Sequence, residues 1–318
     1  MDCKSYVLVL GGGPDAEREV SLVSSRAVAS ALQHAGHAVN YQVIDRPTIQ
    51  EMSLWAGEVV FPVLHGGWGE GGPLQDLLEQ LGRPFVGCRA KAARTAMDKM
   101  ATKLIASQQG VPTAAACVFN PADEGCPLGE MPVVMKPVHE GSSVGVHICR
   151  TMPQWQDAVR ATRDDMKRHP DRVYMVERGA GGGRGARELT VGVLGIATDR
   201  LGCEALDPIE IKPSVEFYDY EAKYKRDDTV YVTDPPLPEG VKGRVQTWAK
   251  TMFEAIGCQH LARVDFLLDR EGGVWLLEVN TMPGFTDHSL LPMAAAHRGR
   301  AMPALCSSLV SLAAGLRR

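Results

Sequence analysis

Several things are scarce in this sequence, and each absence narrows what the chain can be. No apolar run reaches the roughly 20 residues that a membrane-crossing helix needs, so no membrane span is expected in the 318 residues. The opening, MDCKSYVLVLGGG, lacks a secretory signal's order of basic, apolar and small-residue regions; its apolar run passes straight into a turn. Positive charge is not in excess. There are 34 Lys and Arg against 38 Asp and Glu, net charge −4, which argues against a nucleic-acid partner. The eight cysteines (Cys3, Cys88, Cys117, Cys126, Cys149, Cys203, Cys258, Cys306) form no CxxC pair and no zinc-like spacing with the nine histidines. Scattered reduced thiols place the protein in the cytosol. GxxxxGK[ST] is absent, which excludes a P-loop, and there is no internal repeat or low-complexity tail.

What is present is globular: 45% hydrophobic and 23% charged residues, with length for two or three domains. Up to about residue 95, strand and helix signals alternate. Tyr6 to Leu10 and Val59 to Leu64 read as buried parallel strands, Ala38 to Ile44 as a third, and Glu17 to Ala35 as a helix. A helix is predicted from Thr95 to Gln109, stopped by Gly110 and Pro112. Beyond it, Pro132 to Lys136, Val144 to Cys149 and Arg172 to Glu177 read as strands, with a helix from about Met152 carrying Pro153 in its first turn. RGAGGGRGARE is the strongest flexible punctuation and marks a boundary. After it come strands, an irregular polar segment around Lys212 to Pro236, a helix from Val241 to Gly257, a hairpin and a terminal helix.

The most informative stretch is ARVDFLLDREGGVWLLEVNTMPG. Val264 to Leu268 and Val274 to Val279 are strand-like, and a two-residue turn at Glu271 and Gly272 would set Asp265 opposite Glu278 and Arg263 opposite Asn280. All four side chains would then share one sheet face. Two readings stand: a surface salt-bridge ladder through Arg263, or a magnesium site built from hard oxygen ligands. One residue more or less in the turn would break the register.

Two further features bear on anions. Lys136 ends an apolar strand and opens the glycine- and serine-rich PVHEGSSVGV loop, whose N–H groups can curl towards a phosphate; a plain surface hairpin is the alternative. Lys99 in MDKMATK is a second phosphate candidate or a solvated helix lysine. The opening LGGGPDAEREVS fits GxGxxA at Gly11, Gly13 and Ala16, with Asp45 ending the next strand as a ribose-binding acid would. Read alone, that loop points to a dinucleotide-dependent oxidoreductase.

Taken in order, GGGPDAEREVSL, HGGWGEGGPLQ, MDKMATK, MKPVHEGSSVGV, ELTVGVL, FYDYEAKY, ARVDFLL and LLEVNTMPGFTDHS resemble the D-alanine–D-alanine ligases of the ATP-grasp superfamily. The resemblance implies an α/β, three-domain ATP-grasp fold: a Rossmann-like parallel sheet over 1–95, a central subdomain over 96–180 and a C-terminal subdomain over 181–318. It implies a cytoplasmic homodimer that joins two D-alanines per turnover, with ATP and two magnesium or manganese ions, for peptidoglycan synthesis. Lys99, Lys136 and Lys223 would meet ATP, Glu177 the adenine amine and Glu188 the ribose. Asp265, Glu278 and Asn280 would ligate the metals. Glu17 would pair with the ammonium of the first D-alanine, beside His65, and join Ser142 and Tyr224 in one hydrogen-bonded network. Arg263 and the N–H of Gly284 would stabilise the oxyanion, and Ser289 with the N–H of Leu290 would hold the second carboxylate. Tyr224 implies D-alanine rather than D-lactate as second substrate. The opening loop then faces the first D-alanine with its N–H groups. Two departures stand out: Gly71 replaces the aspartate of HGxxGEDG, and the linker before ELTV is longer and richer in glycine than usual. Another ATP-grasp ligase, with a different acid and amine, is the nearer rival.

Overall fold

A computed structural model describes residues 4–315 apart from 124, 142–143, 180–184, 197–201 and 214–228. Ser142, Lys223, Tyr224, the FYDYEAKY segment and most of the glycine-rich linker lie outside the described residues.

The described residues form three sheets. The first is parallel, in the order β2-β1-β3, from β1 (Tyr6–Gly12), β2 (Ala38–Ile44) and β3 (Val59–Pro62). Its middle strand is apolar on both faces because both are covered. Val7 and Val9 pack with Val28 and Leu32 of the helix Arg18–His34, while Leu8 and Leu10 pack with Leu74 and Leu78 of the helix Pro73–Leu81.

The second sheet is antiparallel, in the order β4-β7-β5-β6. It comprises β4 (Ala116–Val118), β5 (Val133–Pro137), β6 (His147–Cys149) and β7 (Tyr174–Arg178). Two strands are displaced from expectation: β6 begins at His147, and β7 begins at Tyr174. The helix Met152–Arg168 covers this sheet through Trp155, Ala158 and Val159. Thr151 caps it by accepting from Gln154 N, with Pro153 in the first turn as the sequence predicts.

The third sheet holds β8 (Arg187–Ile196), β9 (Gly202–Ala205), β10 (Ile209–Lys212), β11 (Val230–Thr233), β12 (Leu261–Leu268) and β13 (Val274–Asn280). Its order is β11-β10-β8-β12-β13, with β9 also on β8. The segment expected to be irregular from Lys212 to Pro236 thus contains a strand. The helix Val241–Ile256 lies between two left-handed glycines, Gly240 and Gly257, and buries Val245, Ala249 and Met252 against Val264, Phe266 and Val279.

The helix predicted from Thr95 to Gln109 is two helices, Ala90–Met97 and Lys99–Gln108. Asp98 breaks it: its backbone is extended, and its carboxylate accepts from Met100 N and Ala101 N, capping the second helix. Ala92, Ala96 and Ala106 of this pair belong to the core of the third sheet, so that core crosses the expected boundary at residue 95.

Candidate active site

The β12–β13 hairpin places Arg263 opposite Asn280 and Asp265 opposite Glu278, the pairs the sequence predicts. The turn is different. Asp269 pairs with Gly273 across Arg270, Glu271 and left-handed Gly272, so three residues rather than two make the loop. That alone would slip the register by one and turn the carboxylates to opposite faces. An extra residue on β13, Leu277, restores it, because pairing steps from Phe266↔Leu276 to Asp265↔Glu278.

Beside this hairpin lies a cleft of about 840 Å³, lined from all three parts of the chain. Of the predicted site residues, Glu17, His65, Lys99, Arg263, Glu278, Asn280, Gly284 and Ser289 line it. Lys99 Nζ sits 3.6 Å from Glu278 Oε2 and donates to the Glu140 carbonyl at 2.5 Å. Ser289 is the N-cap of the helix Leu290–His297 without its hydroxyl capping that helix; instead Ser289 Oγ accepts from Thr286 N at 3.0 Å. A hydroxyl and a helix N-terminus at one wall suit a carboxylate.

Other residues stand apart from the cleft lining. Asp265 is buried behind the face: Arg263 Nη2 donates to its Oδ2 at 2.8 Å and Thr190 Oγ1 to its Oδ1 at 2.5 Å. Arg263 Nε also donates to Oδ1 at 3.0 Å and Oδ2 at 3.3 Å, so the roughly four acceptor sites of this carboxylate are engaged and a metal ion would replace an Arg263 contact. Glu278 and Asn280, both on β13, line the cleft, and their hard oxygens suit a magnesium ion. Asn280 Oδ1 also accepts from Met282 N at 3.0 Å. Glu188 lies on β8 opposite Leu267 and Ile211. Lys136 and Glu177 form a buried ion pair in the second sheet, where Glu177 also takes Lys103 Nζ at 2.7 Å. Burial pushes the Glu177 carboxyl up, but the two lysines outweigh it and hold it below its ordinary value.

The opening loop corrects one expectation. Gly12 N donates to Ser21 Oγ at 2.8 Å and Gly13 N to Ile44 O at 2.9 Å, so these two N–H groups are used within the protein. A Cβ on Gly11 would stand 2.0 Å from Ser25 Oγ, and one on Gly12 2.5 Å from Ile44 O. These glycines permit close packing rather than an anion cradle. Glu17, at the N-cap of the following helix, lines the cleft together with Glu19 and Val20.

Two cleft residues depart furthest from their behaviour in water. His65 Nδ1 bonds to Met282 O at 3.0 Å, while its Nε2 is buried with no partner among the described residues. Burial is the main cause that pushes this imidazole down to about 4, so the ring is neutral and Nε2 is an acceptor. Glu70, which sequence reasoning missed, accepts from Gly66 N at 3.2 Å through Oε1, and its buried Oε2 has no partner among the described residues. Burial raises its carboxyl to about 8, with Glu17 and Glu278 adding to the shift. The signal available was its place in HGGWGEGG beside His65.

A parallel sheet joined to two antiparallel sheets, with lysines, carboxylates and a guanidinium gathered where they meet, defines an ATP-grasp ligase architecture. The family model for the D-Ala–D-Ala ligase C-terminus matches residues 122–311. A D-alanine–D-alanine ligase B of Chromobacterium violaceum is 40% identical over 307 residues, 94% of this chain and 95% of the relative. One from Dechloromonas aromatica is 39% identical, covering 97% of each. Among solved structures, the D-alanine–D-alanine ligase of Coxiella burnetii aligns with TM-score 0.78 at 25% identity over 98% of this chain and 96% of that one. The VanG D-Ala:D-Ser ligase of Enterococcus faecalis aligns with TM-score 0.81 at 25% identity, covering 98% and 100%. The chain belongs to the D-alanine–D-alanine ligase family.

Proposed function

We propose that the protein joins two D-alanines at the expense of ATP, in the cytoplasm and as a homodimer, supplying a peptidoglycan precursor. The observation that carries this reading is the convergence of Glu17, Lys99, Arg263, Glu278, Asn280, Gly284 and Ser289 on one cleft. In this reading the division at residues 95 and 180 is a division of labour: first substrate, nucleotide, and metal with second substrate.

A carboxylate is a poor electrophile, so the first D-alanine is activated: its carboxylate oxygen attacks the γ-phosphorus and ADP leaves. The second D-alanine, as its free amine, attacks the acyl carbon; the bond to phosphate breaks and inorganic phosphate departs. Glu17 takes the first ammonium, while Lys99, Lys136 and Lys223 neutralise phosphate charge; Glu177 and Glu188 are assigned to adenine and ribose. Asp265, Glu278 and Asn280 would hold magnesium, which would supply further charge neutralisation there. Arg263 and the N–H of Gly284 stabilise the tetrahedral oxyanion. Ser289 orients the second carboxylate, and Ser142 and Tyr224 tie the loop after β5 to the substrates.

ATP-dependent phosphate release, with and without D-alanine, tests the class; a release that ignores D-alanine sinks it. The likeness to a D-Ala:D-Ser ligase makes the second substrate a separate question. Competing D-alanine, D-serine and D-lactate near neutral pH should give mainly D-alanyl-D-alanine. A predominant ester or D-alanyl-D-serine product would overturn the role of Tyr224.

A further inference from the structure

The residues that reach ATP in this reading include a loop between β5 and β6, and the stem of that loop is fastened in an unexpected way. Val138 and Glu140 carry the fastenings. Val138 N donates to Val173 O at 2.8 Å, and Lys99 N donates to Val138 O at 3.2 Å. The Glu140 carbonyl accepts from Lys99 Nζ, inside the cleft, while its carboxylate turns the other way to take Arg172 Nη2 at 2.8 Å. Arg172 spends its second arm on Asp165: Nη1 donates to Oδ2 at 2.8 Å. Asp165, in the last turn of the helix Met152–Arg168, is held by the Tyr174 hydroxyl at 2.8 Å.

We propose that Arg172 is a positioning residue for the ligase reaction: through Glu140 it fixes the stem of the β5–β6 loop and thereby aims Lys99 at the nucleotide phosphates. The inference rests on the ligase reading. A planar fork that bridges two carboxylates is a demand only arginine meets, since lysine offers a single point of charge. The pair is also unlike an ordinary surface ion pair. Glu140 and Arg172 are 32 residues apart in sequence, and the Arg172 side chain is only 21% exposed. One end of the chain of contacts is a folded helix terminus, and the other is an ammonium 3.6 Å from Glu278, a proposed metal ligand. Without Arg172 nothing described holds the Glu140 carboxylate, and the carbonyl that orients Lys99 loses its brace. Gly284 and Ser289, assigned to the oxyanion and the second D-alanine, sit on other elements and stay in place, whereas Glu17 borders the loop: a Cβ on Gly141 would stand 3.7 Å from its Oε1.

The test uses the full chain and the variants Arg172→Met, Arg172→Lys, Glu140→Gln and the double variant Arg172→Met/Glu140→Gln. For each, KM for ATP, KM for the second D-alanine, kcat, direct ATP binding and thermal midpoint are measured. Arg172→Met should raise KM and Kd for ATP roughly 3- to 10-fold, as losing a partly buried charged pair does, and leave KM for the second D-alanine within about twofold. Arg172→Lys should fall between wild type and Arg172→Met, and the double variant should be no worse than the worse single. Unchanged ATP affinity in Arg172→Met at an unchanged thermal midpoint overturns the proposal, as does an equal rise in KM for ATP and for the second D-alanine, or full additivity. Should Arg172→Met fail to fold, Glu140→Gln carries the same comparison, because the Glu140 side chain is 37% exposed. Wild-type protein whose phosphate release ignores D-alanine would overturn the ligase reading, while ATP binding would still report on the brace.

Discussion

At the scale of single residues, Glu177 shows how a site residue can be legible in type and illegible in environment. Its place at a strand end before the glycine-rich linker marks it, but its partners come from elsewhere in the chain. Lys103 spends its three donors on Thr113 Oγ1 at 2.7 Å, Ala114 O at 2.9 Å and Glu177 Oε1, while Lys136 takes the other carboxylate oxygen. Lys103 stands four residues after Lys99 in MDKMATK, one turn further along the same helix; nothing local says that one lysine faces the cleft and the other is sealed away. Removing one member of a buried charged set leaves the rest uncompensated, typically at about 3–5 kcal/mol. Glu177→Gln should therefore lower unfolding stability by about 3 kcal/mol in denaturant melts near neutral pH. Adding Lys103→Met should recover part of that loss. Two independent, additive losses would show that the three groups do not act as a set. The folded carboxyl lies below the ordinary 4.5, so its contribution is present above pH 4.5 and is lost as pH falls through the folded value.

At the scale of elements, the hairpin shows why a correct register can be reached through an incorrect turn. A two-residue turn puts Asp265 opposite Glu278; so does a three-residue turn followed by one bulge residue, and alternation in the sequence is blind to the difference. The break at Asp98 was hidden for a similar reason: both helices keep the apolar spacing of one, and only the side chain's capping bonds separate them. The feature of β13 hidden from the sequence pattern is thus the bulge residue Leu277. Deleting Leu277 makes Phe266↔Leu276 and Asp265↔Glu278 consecutive pairs, so Glu278 and Asn280 keep their facing and D-alanine-dependent phosphate release should survive. Inserting one glycine after Glu271 lengthens only an exposed loop, at a closure cost well under about 1 kcal/mol, and should leave turnover within about twofold. Loss of activity in the deletion, with a native-like thermal melt, would mean that the local bend of the bulge, and not the register alone, aims Glu278 and Asn280.

At the scale of the whole molecule, three buried histidines tie the parallel-sheet region to the C-terminal half. His37 Nε2 meets Ser307 Oγ at 2.9 Å, His65 Nδ1 meets Met282 O, and His260 Nδ1 bonds to the backbone of Gly87. The apolar contact between the same regions is continuous, from Val9 and Phe61 to Phe285, Leu291 and Leu305, with Phe61 and Phe285 edge to face at 5.7 Å. None of this pairing has a sequence signature, because the partners are more than 170 residues apart. It does set a pH profile. Burial holds both His65 and His260 at about 4, from an ordinary 6.5, so between those values the unfolded chain binds more protons and stability falls as pH falls. Glu70 acts in the other direction. Its carboxyl is raised from 4.5 to about 8, so the folded chain holds the extra proton and stability falls as pH rises through that window. Each group contributes a slope of about 1.4 kcal/mol per pH unit inside its window. From 4.5 to 6.5 the two histidines outweigh the one glutamate, and above 6.5 the glutamate acts alone, so these three groups place the stability maximum near pH 6.5. Thermal melts of ligand-free protein from pH 4 to 8.5 should show that maximum. His65→Asn with His260→Asn, which keep an Nδ1-like donor, should abolish the acid limb above pH 4.5 and move the maximum down towards that pH, and Glu70→Gln should flatten the alkaline limb and steepen the acid one, where Glu70 opposes the histidines. An alkaline limb that persists in Glu70→Gln would assign it to another group and leave Glu70 an ordinary carboxylate.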